Sequence, residues 1–169
     1  MTDANPPAGT RTSRVISAPR ETIFRAFTDP DALVAWQVPG EMTGKVHAFD
    51  ARVGGGYRMS LFYPASEGEA RGKTAARGKT AAREDRYTAR FVELAPPSRI
   101  VEAIAFDTTD PAFAGEMVMT VTLAERGGGT EVTIAFDNIP PGIGPEDNDA
   151  GTRSSLEKLA RYVEGRGWG

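Results

Sequence analysis

The sequence predicts an α+β domain: a curved antiparallel sheet of seven strands wrapped around one long helix near the carboxy-terminal end. Three observations carry that prediction. Strand-like segments separated by turn signals fill residues 45–136, the pattern of an antiparallel meander. Only residues 144–165 have both the length and the one-sided apolar spacing of a substantial helix. A sheet with one apolar face needs a cover, and no other segment is long enough to supply it.

The first strand is expected at 12–17, around Val15 and Ile16. Pro19 can open a helix, and Ile23, Phe24 and Phe27 recur at helical spacing within Arg20–Phe27. Asp29 and Pro30 break that helix, and Pro30–Trp36 forms a second one with Leu33, Val34 and Trp36 as its apolar residues. Two such short helices cannot build a core alone, so they are expected to close one end of the sheet. Strands follow at 45–53, 57–63, 85–94, Arg99–Phe106, 116–124 and 130–136. Glycines 54–56 and 127–129 supply turns, while Pro64, Pro96 and Pro97 end strands. Residues 108–111 turn the chain, and Phe113 is expected to tuck back as a plug. In 116–124, Met117, Met119, Val121 and Leu123 share one face, with Val118, Thr120 and Thr122 on the other, the mark of a half-buried strand. Val132, Ile134 and Phe136 point inward from the last strand. The predicted order is β-α-α-β-β-β-β-β-β-α.

The final helix opens with Pro145 and with Glu146, Asp147 and Asp149, negative charge at the positive end of the helix dipole. Leu156, Leu159, Ala160 and Val163 lie on one face, with Arg153, Glu157, Arg161 and Glu164 opposite, and Gly165 supplies the stop. Extended backwards, the apolar stripe passes through Thr152 and Asp149, with Ser155 at its edge and Gly151 beyond. The bulky half is expected to be clamped by the sheet, and the small half to leave room between helix and sheet.

At 169 residues the chain is about one domain long and can bury a single core without staples. It has no cysteine, which excludes disulfides and thiolate metal sites and makes a cytoplasmic location the default. A net charge of -3 gives no general electrostatic reason to bind nucleic acid. No apolar run approaches the roughly 20 residues that a membrane span needs, and the first ten residues lack the apolar centre of a signal peptide. Residues 1–11 are expected as a disordered tail, 12–165 as one domain with a mobile basic loop at about 65–84, and 166–169 as a second tail.

Several strings carry a resemblance. Phe49-Asp50-Ala51-Arg52-Val53-Gly54-Gly55, Tyr57-Arg58-Met59, and Gly128-Gly129-Thr130-Glu131-Val132-Thr133 ahead of a terminal leucine-bearing helix resemble the activator of Hsp90 ATPase homologue 1-like (AHSA1-like) family. That family belongs to the START/Bet v 1 helix-grip (SRPBCC) superfamily, and the resemblance covers roughly residues 12–164. Segments 110–115 and 139–143, with Glu146-Asp147-Asn148, resemble a bacterial and fungal branch of uncharacterised members. The resemblance implies the helix-grip fold. Its motifs are turns, so it implies little about activity. Many relatives carry Gly-Trp near the start of the last helix where this chain has Gly151-Thr152, which removes a large ring from the expected pocket. The co-chaperone that names the family also has a separate Hsp90-binding domain on its amino-terminal side. This sequence leaves no room for one, so an Hsp90 partnership is not expected from the name.

The candidate ligand site is a cavity lined by Trp36, His47, Phe49, Tyr57, Met59, Tyr63, Phe106, Met117, Met119, Phe136, Thr152 and Leu156. Methionines repack around varied shapes, and aromatic rings offer flat walls, with a polar tip on tyrosine and tryptophan. The lesser reading is a filled core made of the same residues. Asn138, Asp149 and Thr152 would make the polar rim, though each is more often a turn or cap residue. The favoured function is therefore binding of a hydrophobic or amphipathic small molecule, without a cofactor.

His47, the only histidine, shares a strand parity with Phe49, Ala51 and Val53 and is expected to point inward. Catalysis would need a nucleophile and an orienting carboxylate near it. Ser60 and Glu102 are conceivable partners on other strands, though no spacing pairs them. No catalytic motif is present, and an enzyme of cyclase, dehydratase or hydrolase type is the alternative. It would require His47, Arg58 or Glu102 to converge in one cavity. A zinc site would need carboxylates for every ligand besides His47, an improbable set. Residues 71–83 hold Gly-Lys-Thr-Ala-Ala-Arg twice in tandem. A phosphate-binding loop needs a glycine five places before the one preceding lysine, and Glu67 and Lys73 stand there instead. The repeat reads as a duplication that lengthens an exposed hairpin loop, because loop length costs little. Its basic residues offer an anionic-partner patch as the lesser reading. A third function, an Hsp90-associated interaction module, and a homodimer are compatible with the sequence without being signalled by it.

Overall fold

The computed structural model describes residues 8–38, 41–63 and 84–164. Most of the expected basic loop, with both Gly-Lys-Thr copies, lies outside the described residues, as do Pro64, Gly165, residues 1–7 and the expected tail at 166–169.

In chain order the elements are β1 (Ala8–Ile16), α1 (Arg20–Phe27), α2 (Pro30–Trp36), β2 (Thr43–Asp50), β3 (Gly56–Phe62), β4 (Glu84–Ala95), β5 (Arg99–Phe106), a 3-10 turn at Pro111–Phe113, β6 (Glu116–Arg126), β7 (Gly129–Ile139) and α3 (Pro145–Glu164). The seven strands form one antiparallel sheet in the order β1-β7-β6-β5-β4-β3-β2. Strands β2 to β7 run as a meander, and β1 closes beside β7. This is the helix-grip architecture. No helix among the described residues is long and apolar enough to cross a membrane.

The alternation written in β6 and β7 decides which face is covered. Met117, Met119, Val121 and Leu123 are buried, and so are Val132 and Ile134, in one core that also takes Leu156, Leu159, Ala160 and Val163 from α3. From the two short helices come Ile23, Phe27, Leu33 and Trp36. Trp36 sets its ring edge on Phe27, with centroids 4.6 Å apart, and donates its indole N–H to the Ala26 carbonyl at 2.8 Å, which fixes the α1–α2 corner. Phe113 packs against the core beside Phe106, as a plug would.

Two segments differ from the sequence expectation. Strand β1 begins at Ala8, so residues 8–11 belong to the sheet and not to a tail. Its polar residues bury little apolar surface, but Thr10 donates to Asn148 Oδ1 (2.6 Å) and Thr12 to Asp149 Oδ1 (2.5 Å), tying the edge strand to the first turns of α3. Strand β2 ends at Asp50, and its pairing with β3 slips between Val46 and Ala48. Val46 lies opposite Met59 and Phe49 opposite Tyr57, so His47 is the extra residue of a bulge. The slip reverses the parity from which an inward His47 was expected. The hairpin after β2 also needs a particular glycine. Gly56 has φ +152°, and a Cβ there would lie 1.9 Å from the Ala89 carbonyl oxygen.

Candidate functional site

The central strand of the sheet, β5, is apolar from Ile100 to Phe106 except for Glu102. Glu102 pairs across the sheet with Phe91 on β4 and Met119 on β6, which places it on the helix-covered face, and it has no exposed surface. Tyr57 donates to Glu102 Oε1 at 2.8 Å. Tyr87 shares its hydroxyl between Gln37 Oε1 and Met59 Sδ, both at 3.3 Å, and the Gln37 amide donates to the Tyr57 oxygen at 3.3 Å. Among the described residues, Glu102 Oε2 has no hydrogen-bond partner. Burial pushes the Glu102 carboxyl up to about 7, against the opposing effect of the Tyr57 hydrogen bond. Burial and the neighbouring Glu102 charge also hold both tyrosines far above the usual phenol range, so they stay neutral donors.

Aromatic rings surround this polar cluster. Phe49 stacks on Tyr57 at 5.5 Å, and Phe91 meets both, at 6.1 and 5.9 Å. Tyr57 meets Tyr87 at 6.2 Å, Tyr87 meets Phe106 at 6.2 Å, and Phe106 meets Phe113 at 6.4 Å. The rings form a continuous band across β2, β3, β4 and β5 to the turn before β6. Met59, Met117 and Met119 are buried in the same core, and Phe136 packs against it half-buried. Tyr63, just past β3, donates to Asp85 Oδ2 at 2.9 Å.

Other expected site residues are engaged elsewhere. His47 is exposed, and its Nε2 lies 2.8 Å from Ser60 Oγ, which donates to Glu84 Oε2 at 2.6 Å. Here the carboxylate holds the serine and not the imidazole, the reverse of a catalytic triad's order. Arg58 is likewise exposed, paired with Ala48 on the face opposite Tyr57 and Met59. Glu102 therefore does not converge with either of them. The expected polar rim is tied up in structural bonds. Thr152 donates to the Asn148 carbonyl one turn back (2.8 Å), Asn138 to the Glu116 carbonyl (2.7 Å), and Asp149 accepts from Thr12 and Arg153. Ser155 donates to the Gln37 carbonyl at 2.8 Å. The small half of the α3 face thus binds β1 and the end of α2. A cleft of about 320 Å³ opens on that seam, lined by Thr12, Ser13, Arg14, Arg153, Ser154, Leu156 and Glu157. It is a polar surface cleft, unlike the enclosed apolar space expected beneath Leu156. Among the described residues no group of three or more histidine and carboxylate side chains could hold a metal ion.

The sequence model of the family described as "Activator of Hsp90 ATPase homolog 1-like protein" matches residues 17–164. The chain belongs to this family. A crystal structure of a protein from Chromobacterium violaceum is similar at 36% identity, with a TM-score of 0.79, covering 92% of this chain and 96% of that one. The solution structure of an AHSA1-like protein from Aeromonas hydrophila shares the fold at 21% identity and a TM-score of 0.67, over 95% of this chain and 94% of that one. A Rhodobacter sphaeroides protein does so at 21% identity and 0.68, over 97% and 99% of the two chains. No curated protein matches the chain.

In this AHSA1-like chain, residues beyond the expected lining set make up much of the interior cluster: Gln37, Tyr87, Phe91 and Glu102. One signal was available. A lone carboxylate in the run Ile100-Val101-Glu102-Ala103-Ile104-Ala105-Phe106 is confined among apolar neighbours on whichever face it points. Gln37 gave none, because its place depends on how α2 docks.

Proposed function

We propose that this AHSA1-like protein is a receptor for a small hydrophobic or amphipathic molecule held on the covered face of the sheet, beside Glu102. The observation that carries the reading is Glu102, a fully buried carboxyl with one oxygen unpaired among the described residues, on the central strand and beside the aromatic side chains of Tyr57 and Phe91. Burying an acid without a full set of partners costs several kcal/mol, and a core selected only for stability would place an apolar residue there. Such groups concentrate where a ligand completes the set. Phe49, Tyr57, Met59, Phe106, Met117, Met119 and Phe136 supply the adaptable apolar wall that this reading requires.

Catalysis has less support, since His47 and Arg58 lie on the opposite face of the sheet from Glu102. Thermal unfolding of the full chain against a panel of lipids and polyketides tests the proposal. A saturable upward shift with at least one class is expected. No shift with any member would remove the receptor reading.

A further inference from the structure

Resting on the receptor reading, we infer that the ligand carries a neutral hydroxyl on its apolar body and that Glu102 Oε2 accepts the hydrogen bond from it. Each nearby donor atom already has an acceptor. The Tyr57 proton lies on Glu102 Oε1, the Tyr87 proton on Gln37 or Met59, and the Gln37 amide on Tyr57. What the cluster leaves open is an acceptor, Glu102 Oε2, inside a residue with no exposed surface. A group entering there must donate while the carboxyl is ionised. A charged ammonium would have to shed its own hydration in a buried site, whereas a hydroxyl loses far less. The rings of Phe49, Tyr57, Phe91 and Tyr87 meet in pairs at 5.5 to 6.2 Å and give the site an aromatic wall, which suits an apolar body beside that hydroxyl.

The same geometry makes ligand choice depend on pH. Among the described residues, Tyr57 on β3 and Tyr87 on β4 are the ionisable side chains that bear on Glu102, and Asp85 on β4 bears on Tyr87. Beside Glu102 in the sheet β6 presents Met119, the end of α2 brings Gln37 to Tyr57 and Tyr87, and neither Met119 nor Gln37 titrates. Glu102 is therefore the group that changes charge near neutrality. Above its pKa of about 7 Oε2 accepts, and below it a proton on Oε2 turns the same atom into a donor.

The test is calorimetric titration of the full chain with para-butylphenol, a donor, and para-butylacetophenone, which only accepts, at about pH 8 and about pH 5.5. Wild type is expected to prefer the phenol by about tenfold or more at the higher pH, and to lose or reverse that preference at the lower. Glu102→Gln presents an amide N–H where Oε2 stood. It is expected to prefer the acetophenone at both pH values. If wild type and variant bind the two probes in the same ratio, or the wild-type ratio ignores pH, the hydroxyl inference is overturned while the receptor reading stands. If neither probe nor any wider panel member binds, both fall. Should the variant not fold, the wild-type ratio at the two pH values decides alone.

Discussion

Glu102 concentrates the cost of the proposed function in one side chain. Its folded-state pKa of about 7 lies above the ordinary 4.5, so the fold favours the protonated acid. The stability this preference contributes is complete below about pH 4.5 and is lost as pH rises towards 7, a change on the order of 3 kcal/mol. Glu102→Gln removes the titration. Urea unfolding should therefore show the variant gaining on wild type by that order between about pH 4.5 and about pH 8, and a constant difference would contradict the burial argument. His47 gives the opposite expectation. Because the bulge turns it outward, His47→Ala should change probe affinity by less than about twofold in the same calorimetric assay, and a larger loss would place it in the site. The sequence showed that His47 was alone, but not which way it faced. A bulge is set by pairing with β3, and strict alternation along β2 cannot reveal it.

At the scale of elements, α3 has a bulky half and a small half, but the small half is held by hydrogen bonds where its sequence predicts open space. Leu156, Leu159, Ala160 and Val163 are buried as bulk, while Thr152 and Ser155 are buried by hydrogen bonding. Leu159→Ala should cost about 2–5 kcal/mol in urea unfolding. Ser155→Ala removes only the bond to the Gln37 carbonyl and should cost about 1 kcal/mol. Equal costs would mean that the amino-terminal half is clamped as firmly as the rest. Gly56→Ala is expected to disrupt the sheet, because its Cβ meets the Ala89 carbonyl and the backbone is already left-handed at φ +152°. Loss of soluble folded protein, read by circular dichroism, would show it. Strand and helix positions were legible because their apolar periods are strong. The extension of β1 to Ala8 was not, since it rests on Thr10 and Thr12 binding Asn148 and Asp149 more than 130 residues later in the chain.

For the whole molecule, the fold followed from the order of elements alone: a meander must close, and only α3 could cover it. Whether the covered space receives a ligand was a different matter. Bulk apolar residues such as Met117 and Met119 are written the same way in a packed core and in a pocket wall, and the polar group that separates the two readings, Glu102, stood out only as one acid in an apolar strand. The most direct test of the receptor claim is nuclear magnetic resonance of the protein labelled at its methionine methyl groups during titration with the lipid and polyketide panel. Ligand binding inside the grip predicts saturable shifts at Met59, Met117 and Met119 together. A panel that leaves all three signals unmoved would contradict it.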